Sequence, residues 1–262
     1  MSKMKNILTI QDLTIGYQSK KEKQIVAHNI ETNINAGDFV CILGKNGIGK
    51  STLLRTIAQV QPSIAGAVKL KEKELQSYSP VQLAKEISLV LTERLPESNL
   101  SIYELIALGR QPYTNWSGAL KKSDKKIIDD VVHLTQLEDL LHKKHFQLSD
   151  GQLQRVLIAR ALAQETPLII LDEPTAHLDL VNSLQTFKLL KELSEKLQKT
   201  IIVSTHQIDL ALQFSSDLWL MNDNRFTSGK TQSLIDSGVL DTLFDKDDIT
   251  FNKEQLRFIF QK

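Results

Sequence analysis

The segment from Gly44 to Thr52 reads GKNGIGKST, with the spacing G-x-x-x-x-G-K-[ST]. Glycines at this spacing let successive backbone N–H groups point at one anion, and the lysine and hydroxyl that follow add a positive charge and an oxygen ligand. We expect Lys50 to reach the β- and γ-phosphates of a nucleotide and the Ser51 hydroxyl to bind Mg²⁺. The residues predicted to hold the phosphates are Gly44, Asn46, Gly47, Gly49, Lys50, Ser51 and Thr52.

The sequence on either side of this segment indicates how it is positioned. Residues Phe39 to Leu43 form a short apolar run typical of a buried strand. Apolar residues recur at helical spacing between Ser51 and Val60. The segment should therefore join a strand end to a helix start, where the helix dipole favours anions. A glycine-rich turn with a surface lysine is the alternative, and it fits these flanks less well.

A second apolar run, Leu168 to Leu171, ends in two carboxylates and a proline. Ligands of open α/β sheets lie at the carboxyl ends of strands, so Asp172 and Glu173 should face the phosphate loop. Asp172 is the expected Mg²⁺-side carboxylate, because this cation takes oxygen ligands and often only one or two from protein. Glu173 could polarise an attacking water. Alternatively, the two acids merely end the strand and are neutralised by a nearby lysine.

One histidine is placed for chemistry. His206 follows the predicted strand Thr200 to Ser204, where it could hydrogen-bond a terminal phosphate and the water beside it. We assign catalytic roles to Glu173, His206 and Lys50. Most of the remaining histidines are expected to be solvated or to pack, and they are His28, His133, His142, His145 and His177.

Composition narrows the class of protein. The 262 residues are 41% hydrophobic and 24% charged, which is ordinary for a soluble globular chain. A net charge of +1 gives no electrostatic case for binding nucleic acid. The lone Cys41 excludes an internal disulfide and fits buried filler in a reducing compartment. Without a signal-like segment or an apolar run of about 20 residues, the chain is expected to stay in the cytoplasm.

The pattern along the chain predicts an α/β protein. Strands alternate with helices from the phosphate loop onward, which implies a parallel sheet covered on both faces. Ile7 to Tyr17 and Ile25 to Ile34 indicate a small β region before it. A helical pattern runs from Leu100 to Leu141, interrupted by a loop-like stretch from Gly109 to Gly118. From about Met221 we expect a hairpin and a short helix.

Five motifs in order resemble the nucleotide-binding subunit of ATP-binding-cassette (ABC) transporters. Besides the phosphate loop and the acidic strand end, the chain carries LSDGQ at Leu148 to Gln152, AHLD at Ala176 to Asp179, and His206 at the family's switch position. The resemblance implies a P-loop ATPase core with an antiparallel β subdomain and a helical subdomain insert. It places a single ABC domain over 1–262, with a core of 1–92 and 160–225, an insert of 93–159 and a tail of 226–262.

The resemblance also implies partners and further site residues. In the family, the LSDGQ-like signature and the following loop contact ATP held by the opposite subunit, so a homodimer with two composite sites is expected. Tyr17 matches the aromatic residue that stacks on adenine. Further predicted ATP contacts on this basis are Ser149, Gly151, Gln152 and Asp179. Such subunits work with two integral membrane permease subunits at the cytoplasmic face of the membrane, and indirectly with a substrate-binding protein.

Two positions depart from the family pattern. Asp150 stands where the signature usually has glycine, and we expect it to cap the following helix while activity survives. Thr92 stands where a glutamine usually touches Mg²⁺ and water. Either Thr92 acts through a bridging water, or Glu93 reaches in, or the contact is weak; Thr92 is therefore kept as a metal-site candidate beside Ser51 and Asp172.

The segment from Tyr103 to Tyr113 resembles one subgroup, the importers of iron–siderophore complexes, haem and cobalamin. A generic helical insert is the alternative. Exposed apolar residues near Tyr103 or Trp116 are candidates for contacting a permease helix. The function predicted is an ATPase subunit of such an importer. A soluble ABC-type ATPase of a cofactor or iron–sulfur assembly system is the main alternative, and a nucleotide-gated module without turnover is a third.

Overall fold

The computed structural model describes residues 5–19, 22–93, 95–96, 98–222, 225–244 and 249–260. The strands are β1 (Asn6–Gln18), β2 (Lys23–Asn35), β3 (Phe39–Leu43), β4 (Ala65–Leu70), β5 (Lys73–Glu74), β6 (Ile87–Val90), β7 (Leu168–Asp172), β8 (Thr200–Ser204), β9 (Asp217–Asn222), β10 (Arg225–Lys230), β11 (Ile249–Asn252) and β12 (Arg257–Phe260). The α-helices are α1 (Lys50–Ile57), α2 (Pro80–Leu83), α3 (Ile102–Ala107), α4 (Lys122–Thr135), α5 (Asp150–Ala163), α6 (Leu180–Leu197), α7 (Ile208–Phe214) and α8 (Thr231–Ser237). Short 3₁₀ helices cover Leu75–Ser77, Leu108–Tyr113, Glu138–Leu140, His145–Gln147 and Val239–Phe244. Over these ranges, no helix has both the length and the apolar character needed to span a bilayer.

The main sheet has the strand order β10-β9-β3-β8-β7-β6. Strands β9, β3, β8, β7 and β6 run parallel, and β10 pairs antiparallel with β9 at one edge. Every residue of β3, β7 and β8 is buried, because helices and a second sheet cover both faces. The strands are apolar except for Thr200, Asp172 and Ser204 at their ends. The predicted parallel sheet covered on both faces is confirmed.

A second, antiparallel sheet has the order β2-β1-β4-β5. One hydrophobic cluster joins its inner face to α1 and to one face of the main sheet, and it contains Leu8, Ile15, Leu53, Val40 and Ile170. The other face of the main sheet packs in a cluster with the helices of the insert and with α6 and α7. The first cluster therefore holds α1, the helix that follows the phosphate loop, against the main sheet.

The helical region differs from the sequence prediction in one detail. Residues 109–118 were expected to form a loop, but Leu108–Tyr113 is a 3₁₀ helix. Its Arg110 is buried and reaches three partners: the Asp124 carboxylate at 3.0 Å, and the Ala163 carbonyl and the Glu165 carboxylate, each at 2.7 Å. Arg110 thereby ties α4 to the end of α5, a link between residues distant in the sequence.

The end of the chain also differs in part. The predicted hairpin is present as β9 and β10; it begins at Asp217 and extends the main sheet, and the short helix that follows is α8. The hairpin of β11 and β12 was not predicted. The expected boundary between 159 and 160 falls within α5, which runs from the insert into the core, and the division into core, insert and tail stays a prediction.

Candidate nucleotide-binding site

The phosphate loop lies where the sequence predicts, between the end of β3 and the start of α1. Gly49 caps α1 with a φ of 112°, in the left-handed region. A β-carbon at this position would also lie 2.3 Å from Val26 Cγ1. Glycine is therefore required at Gly49 both for its backbone conformation and for the close approach of β2. The first N–H groups of α1 are left free of intrahelical partners, as an anion site requires.

Lys50 lies at the centre of the site and is only 4% exposed. Its Nζ donates to the carbonyl oxygens of Gly44 and Lys45, at 3.0 and 3.2 Å, and lies 3.3 Å from His206 Nε2. Burial lowers the pKa of Lys50, and the carboxylates of Glu173 and Asp172 oppose that shift. The amine is thus held inside the loop, next to both acidic residues that the sequence singled out.

Asp172 ends β7 and is 3% exposed. Its Oδ1 accepts hydrogen bonds from Ser51 Oγ at 2.9 Å and from Ser204 Oγ at 2.6 Å. The predicted Mg²⁺ pair, Ser51 and Asp172, is therefore in direct contact. Ser204 was not predicted as a site residue, although its position at the end of the neighbouring strand was a signal for it.

The donor set fits a small, hard cation. Ser51 and Asp172 present a hydroxyl and a carboxylate oxygen side by side, which are ligands that Mg²⁺ prefers. Among the residues that the structure describes, no three or more His, Cys, Asp or Glu side chains converge as a metal cage. Two protein oxygens are enough for Mg²⁺, which usually keeps several waters and takes the rest of its ligands from substrate phosphates.

Glu173 adopts a φ of 47°, a conformation that is uncommon for residues other than glycine. Its N–H donates to the carbonyl and to the hydroxyl oxygen of Ser204, at 3.1 and 2.9 Å, which holds the strained turn. Its Oε1 lies 2.6 Å from His206 Nε2 and 4.0 Å from Lys50 Nζ. Left-handed backbone at such a position costs about 1–3 kcal/mol, and strain of this kind clusters at functional sites.

Thr92 and Glu93, the two residues that follow β6, make different contacts. Thr92 Oγ1 donates to the backbone carbonyl of Asp172 at 2.8 Å. Glu93 points elsewhere: it forms an ion pair with Arg55 of α1, at 2.7 Å between Oε1 and Nη2. Glu93 therefore does not reach toward Asp172, whereas Thr92 contacts the acidic strand directly.

The signature residues form a second group at the start of α5. Ser149 caps this helix: its Oγ accepts from the N–H of Gln152 at 3.3 Å, and Gln152 Oε1 accepts from the N–H of Ser149 at 3.1 Å. The expectation that Asp150 caps the helix is wrong, because Asp150 is the first helical residue and the cap is already Ser149. Asp150 contributes only a charge near the positive end of the helix dipole.

Asp179 and Tyr17 complete the predicted set. Asp179 caps α6 and accepts from the backbone N–H of Asn182 at 2.8 Å. Tyr17 is half exposed beside an open groove and its hydroxyl lies 3.1 Å from Thr52 Oγ1, so its ring stands close to the phosphate loop. Of the two residues considered for a permease contact, Trp116 is 99% exposed and Tyr103 packs partly against the core.

Comparison with known proteins identifies the family. The ABC transporter family matches residues 27–176. The iron(3+)-hydroxamate import ATP-binding protein FhuC of Bacillus subtilis is 35% identical over 80% of this chain and 77% of its own length. An inward-facing metal-chelate type ABC transporter superposes with a TM-score of 0.80 at 28% identity, covering 97% of this chain and 95% of the other. A dimeric ATP-binding cassette, MJ0796, bound to ADP and Pi, superposes with a TM-score of 0.73 at 29% identity, covering 86% and 99%.

The chain belongs to the ABC transporter family. Its fold is that of an ATP-binding cassette, and such cassettes are ATPases that bind ATP and ADP. The prediction of the family, of its fold and of an ATPase is confirmed.

Proposed function

We propose that this protein is the ATP-hydrolysing subunit of an importer for an iron chelate, haem or cobalamin. The observation that carries the ATPase assignment is the convergence of Lys50, Asp172, Glu173 and His206 on one phosphate loop. The importer assignment is supported by the relative named for iron(3+)-hydroxamate import and by the metal-chelate type transporter.

ATP would bind with its adenine at Tyr17 and its phosphates on the phosphate loop, next to the acidic end of β7. Tyr17 offers an exposed aromatic face to adenine. The backbone N–H groups of Gly44, Asn46, Gly47 and Gly49, with the start of α1 at Ser51 and Thr52, would hold the phosphates. The Lys50 amine, now hydrogen-bonded to loop carbonyls, would turn its protons to the β- and γ-phosphate oxygens.

Ser51 and Asp172 are the residues that would hold Mg²⁺. Thr92 would support them indirectly, because its hydroxyl donates to the backbone carbonyl of Asp172. When bound, the cation would neutralise charge that develops on the β- and γ-phosphates. Ser204 and Ser51 fix the Asp172 carboxylate from two sides, so its orientation does not depend on the cation.

Glu173 is proposed as the group that accepts a proton from the attacking water. Its carboxylate is held between His206 and Lys50, beside the end of the phosphate loop. His206 would orient that carboxylate and contact the γ-phosphate. Removing one stabiliser of the transition state typically lowers the rate by about 10²–10³-fold, so each of these side chains has a measurable share.

The signature residues would act in trans. In one chain, Ser149 and Gln152 bond to each other at the start of α5, and Asp179 caps α6. Gly151 lies in the first turn of α5. We infer that these residues complete the phosphate site of a second copy, which makes the active unit a two-fold homodimer with two composite sites. The dimeric cassette bound to ADP and Pi supports this arrangement.

Two integral membrane permease subunits are the proposed partners. The homodimer would lie at the cytoplasmic face of the membrane, held there by these permeases and served indirectly by a substrate-binding protein. The exposed Trp116 of the insert is a candidate contact for a permease helix. No role for nucleic acid is proposed, since the net charge is +1.

Co-purification tests the importer. The tagged chain is expressed with a chromosomally neighbouring permease gene, and the detergent-solubilised complex is isolated in parallel with the chain expressed alone. We expect a stable complex whose ATPase activity rises on adding the substrate-binding protein loaded with an iron chelate. Full activity of the lone chain, with no retention by the permease, would instead favour the soluble assembly ATPase.

A further inference from the structure

The first turn of α6 joins two motifs that lie far apart in the sequence. Asp179 caps this helix, and both of its carboxylate oxygens are used by one residue. Oδ1 accepts from the backbone N–H of Asn182 at 2.8 Å, and Oδ2 accepts from its side-chain Nδ2 at 2.9 Å. The backbone bond is an ordinary cap, but the side-chain bond is an addition that fixes the Asn182 amide in one orientation.

The other side of that amide contacts the signature. A β-carbon at Gly151 would lie 2.6 Å from Asn182 Oδ1 and 2.8 Å from its Cγ. The backbone at the start of α5 is therefore in direct contact with the Asn182 side chain. Any larger residue at position 151 would displace either that backbone or the Asn182 side chain. Asn182 is thus a spacer with one face on Gly151 and the other on Asp179.

A cleft of about 310 Å³ opens beside the contact between Asn182 and Gly151, and it is bordered by Gly151, Arg155, Asn182, Gln185 and Lys188. At this open edge, the side chain of Asn182 links the signature end of α5 to the start of α6.

The next residue of the same turn touches a third motif. Ser183 is fully buried, and its hydroxyl accepts from Gln207 Nε2 at 3.1 Å. Gln207 directly follows His206 in the chain. The turn from Asp179 to Ser183 therefore contacts two other motifs. One is the signature at Gly151, which would complete the site of the second copy, and the other is the segment that carries His206.

We propose that Asn182 is a positioning residue for the composite site. It sets the spacing between Gly151 and Asp179, so that the two elements one chain presents to its partner's ATP move as one unit. The inference rests on the proposed homodimer with composite sites. Asn182 should therefore affect how well a chain completes the site of its partner. It should not affect how well the chain binds ATP on its own phosphate loop.

The test uses ATP-driven dimerisation of the full chain. The parent carries Glu173→Gln to slow hydrolysis, and dimer formation is followed by analytical ultracentrifugation against ATP concentration. Affinity of the isolated chain is measured separately with a fluorescent ATP analogue at protein concentrations too low for dimers. Asn182→Ala is compared with Gln185→Ala, a matched change at an exposed amide one turn further along α6.

We expect Asn182→Ala to raise the ATP concentration for half-maximal dimerisation by about tenfold, while monomer affinity changes less than about twofold. Asn182→Asp should be at least as damaging, because it keeps the volume against Gly151 but places a second carboxylate against Asp179. Gln185→Ala should behave as the parent.

Three results would overturn the inference. Equal dimerisation of the Asn182→Ala and Gln185→Ala variants would remove Asn182 from the composite site while leaving the homodimer in place. An equal loss of monomer affinity and dimerisation would mark a general structural role. Failure of the Glu173→Gln parent to dimerise would reject the composite site itself, and this inference with it.

Discussion

The Thr92 hydroxyl donates a hydrogen bond to the backbone carbonyl of Asp172, 2.8 Å away. This bond joins the segment that leads into the helical insert to the end of the strand that carries the proposed Mg²⁺ ligand. A threonine is too short to span the site as a glutamine would. At this position it instead contacts the backbone at the end of β7.

We predict that Thr92→Val lowers ATP turnover about three- to tenfold. Valine keeps the shape of threonine but cannot donate to Asp172, and a typical net hydrogen bond is worth about 0.5–1.5 kcal/mol. Thr92→Ser is the control, because it restores the hydroxyl and should retain most of the activity. Steady-state ATPase assays with and without permease measure both; unchanged turnover of Thr92→Val under both conditions would remove this residue from the mechanism.

Asp150 should be tolerated at the signature. It is the first residue of α5, where its negative charge interacts with the helix dipole and stabilises the helix by about 0.3–1 kcal/mol. We expect Asp150→Gly to change ATP turnover less than about threefold and to lower the melting temperature slightly, since the charge is lost and glycine has a helix propensity about 0.3 kcal/mol poorer than that of aspartate. Asp150→Asn is the control, because it removes the charge without adding the backbone freedom of glycine. A tenfold gain in turnover for Asp150→Gly would instead mean that the carboxylate repels the γ-phosphate.

The Arg110 link should be important for stability. Replacing Arg110 by methionine would leave the Asp124 carboxylate buried without its cation, a loss that typically costs about 3–5 kcal/mol. We predict a loss of that size in urea unfolding of Arg110→Met. The matched control is Arg225→Met, at an exposed arginine, and it should fall within about 0.5 kcal/mol of the parent. Equal stability of the two variants would contradict the proposed link.

The lowered pKa of Asp124 allows a prediction of how the free energy of unfolding depends on pH. The N–H of Lys121, helped by Arg110, holds the pKa of Asp124 below its ordinary value of 3.8, although burial opposes this. Because the pKa is lower in the folded state, the stabilising contribution is present above pH 3.8 and is lost as pH falls through the folded-state pKa. The advantage of the parent over Asp124→Asn should be constant from about pH 7 to 5 and shrink below about pH 4. Urea unfolding across this range measures it; an advantage that persisted at the lowest pH would contradict the assignment.

The predicted parts of the site depend on local sequence. The strand that ends at Leu43, the turn of the phosphate loop and the helix that starts at Lys50 are contiguous, so their pattern is visible in one stretch. Asp172 is the last residue of one fully buried strand and His206 follows another, and parallel strands bring their carboxyl ends to one edge. These positions were therefore predictable before any contact was known.

What could not be predicted depends on pairs that meet only in the folded chain. Thr92 and Asp172, or Arg110 and Asp124, carry no mutual signal in the sequence, and the contact of Asn182 with Gly151 requires the relative placement of α5 and α6. The incorrect assignment of the cap to Asp150 has a different, local origin. Two adjacent residues can both cap a helix, and only the backbone shows that Ser149 does so.

Hydrolysis by Glu173→Gln tests the central claim most directly. Glutamine keeps an acceptor for His206 but cannot take a proton from water. We predict that ATP affinity stays within about twofold of the parent while turnover falls about 10²–10³-fold. Glu195→Gln, at an exposed carboxylate of α6, should hydrolyse ATP as the parent does. Undiminished ATP hydrolysis by purified Glu173→Gln would contradict the assignment of Glu173 and, with it, the proposed mechanism.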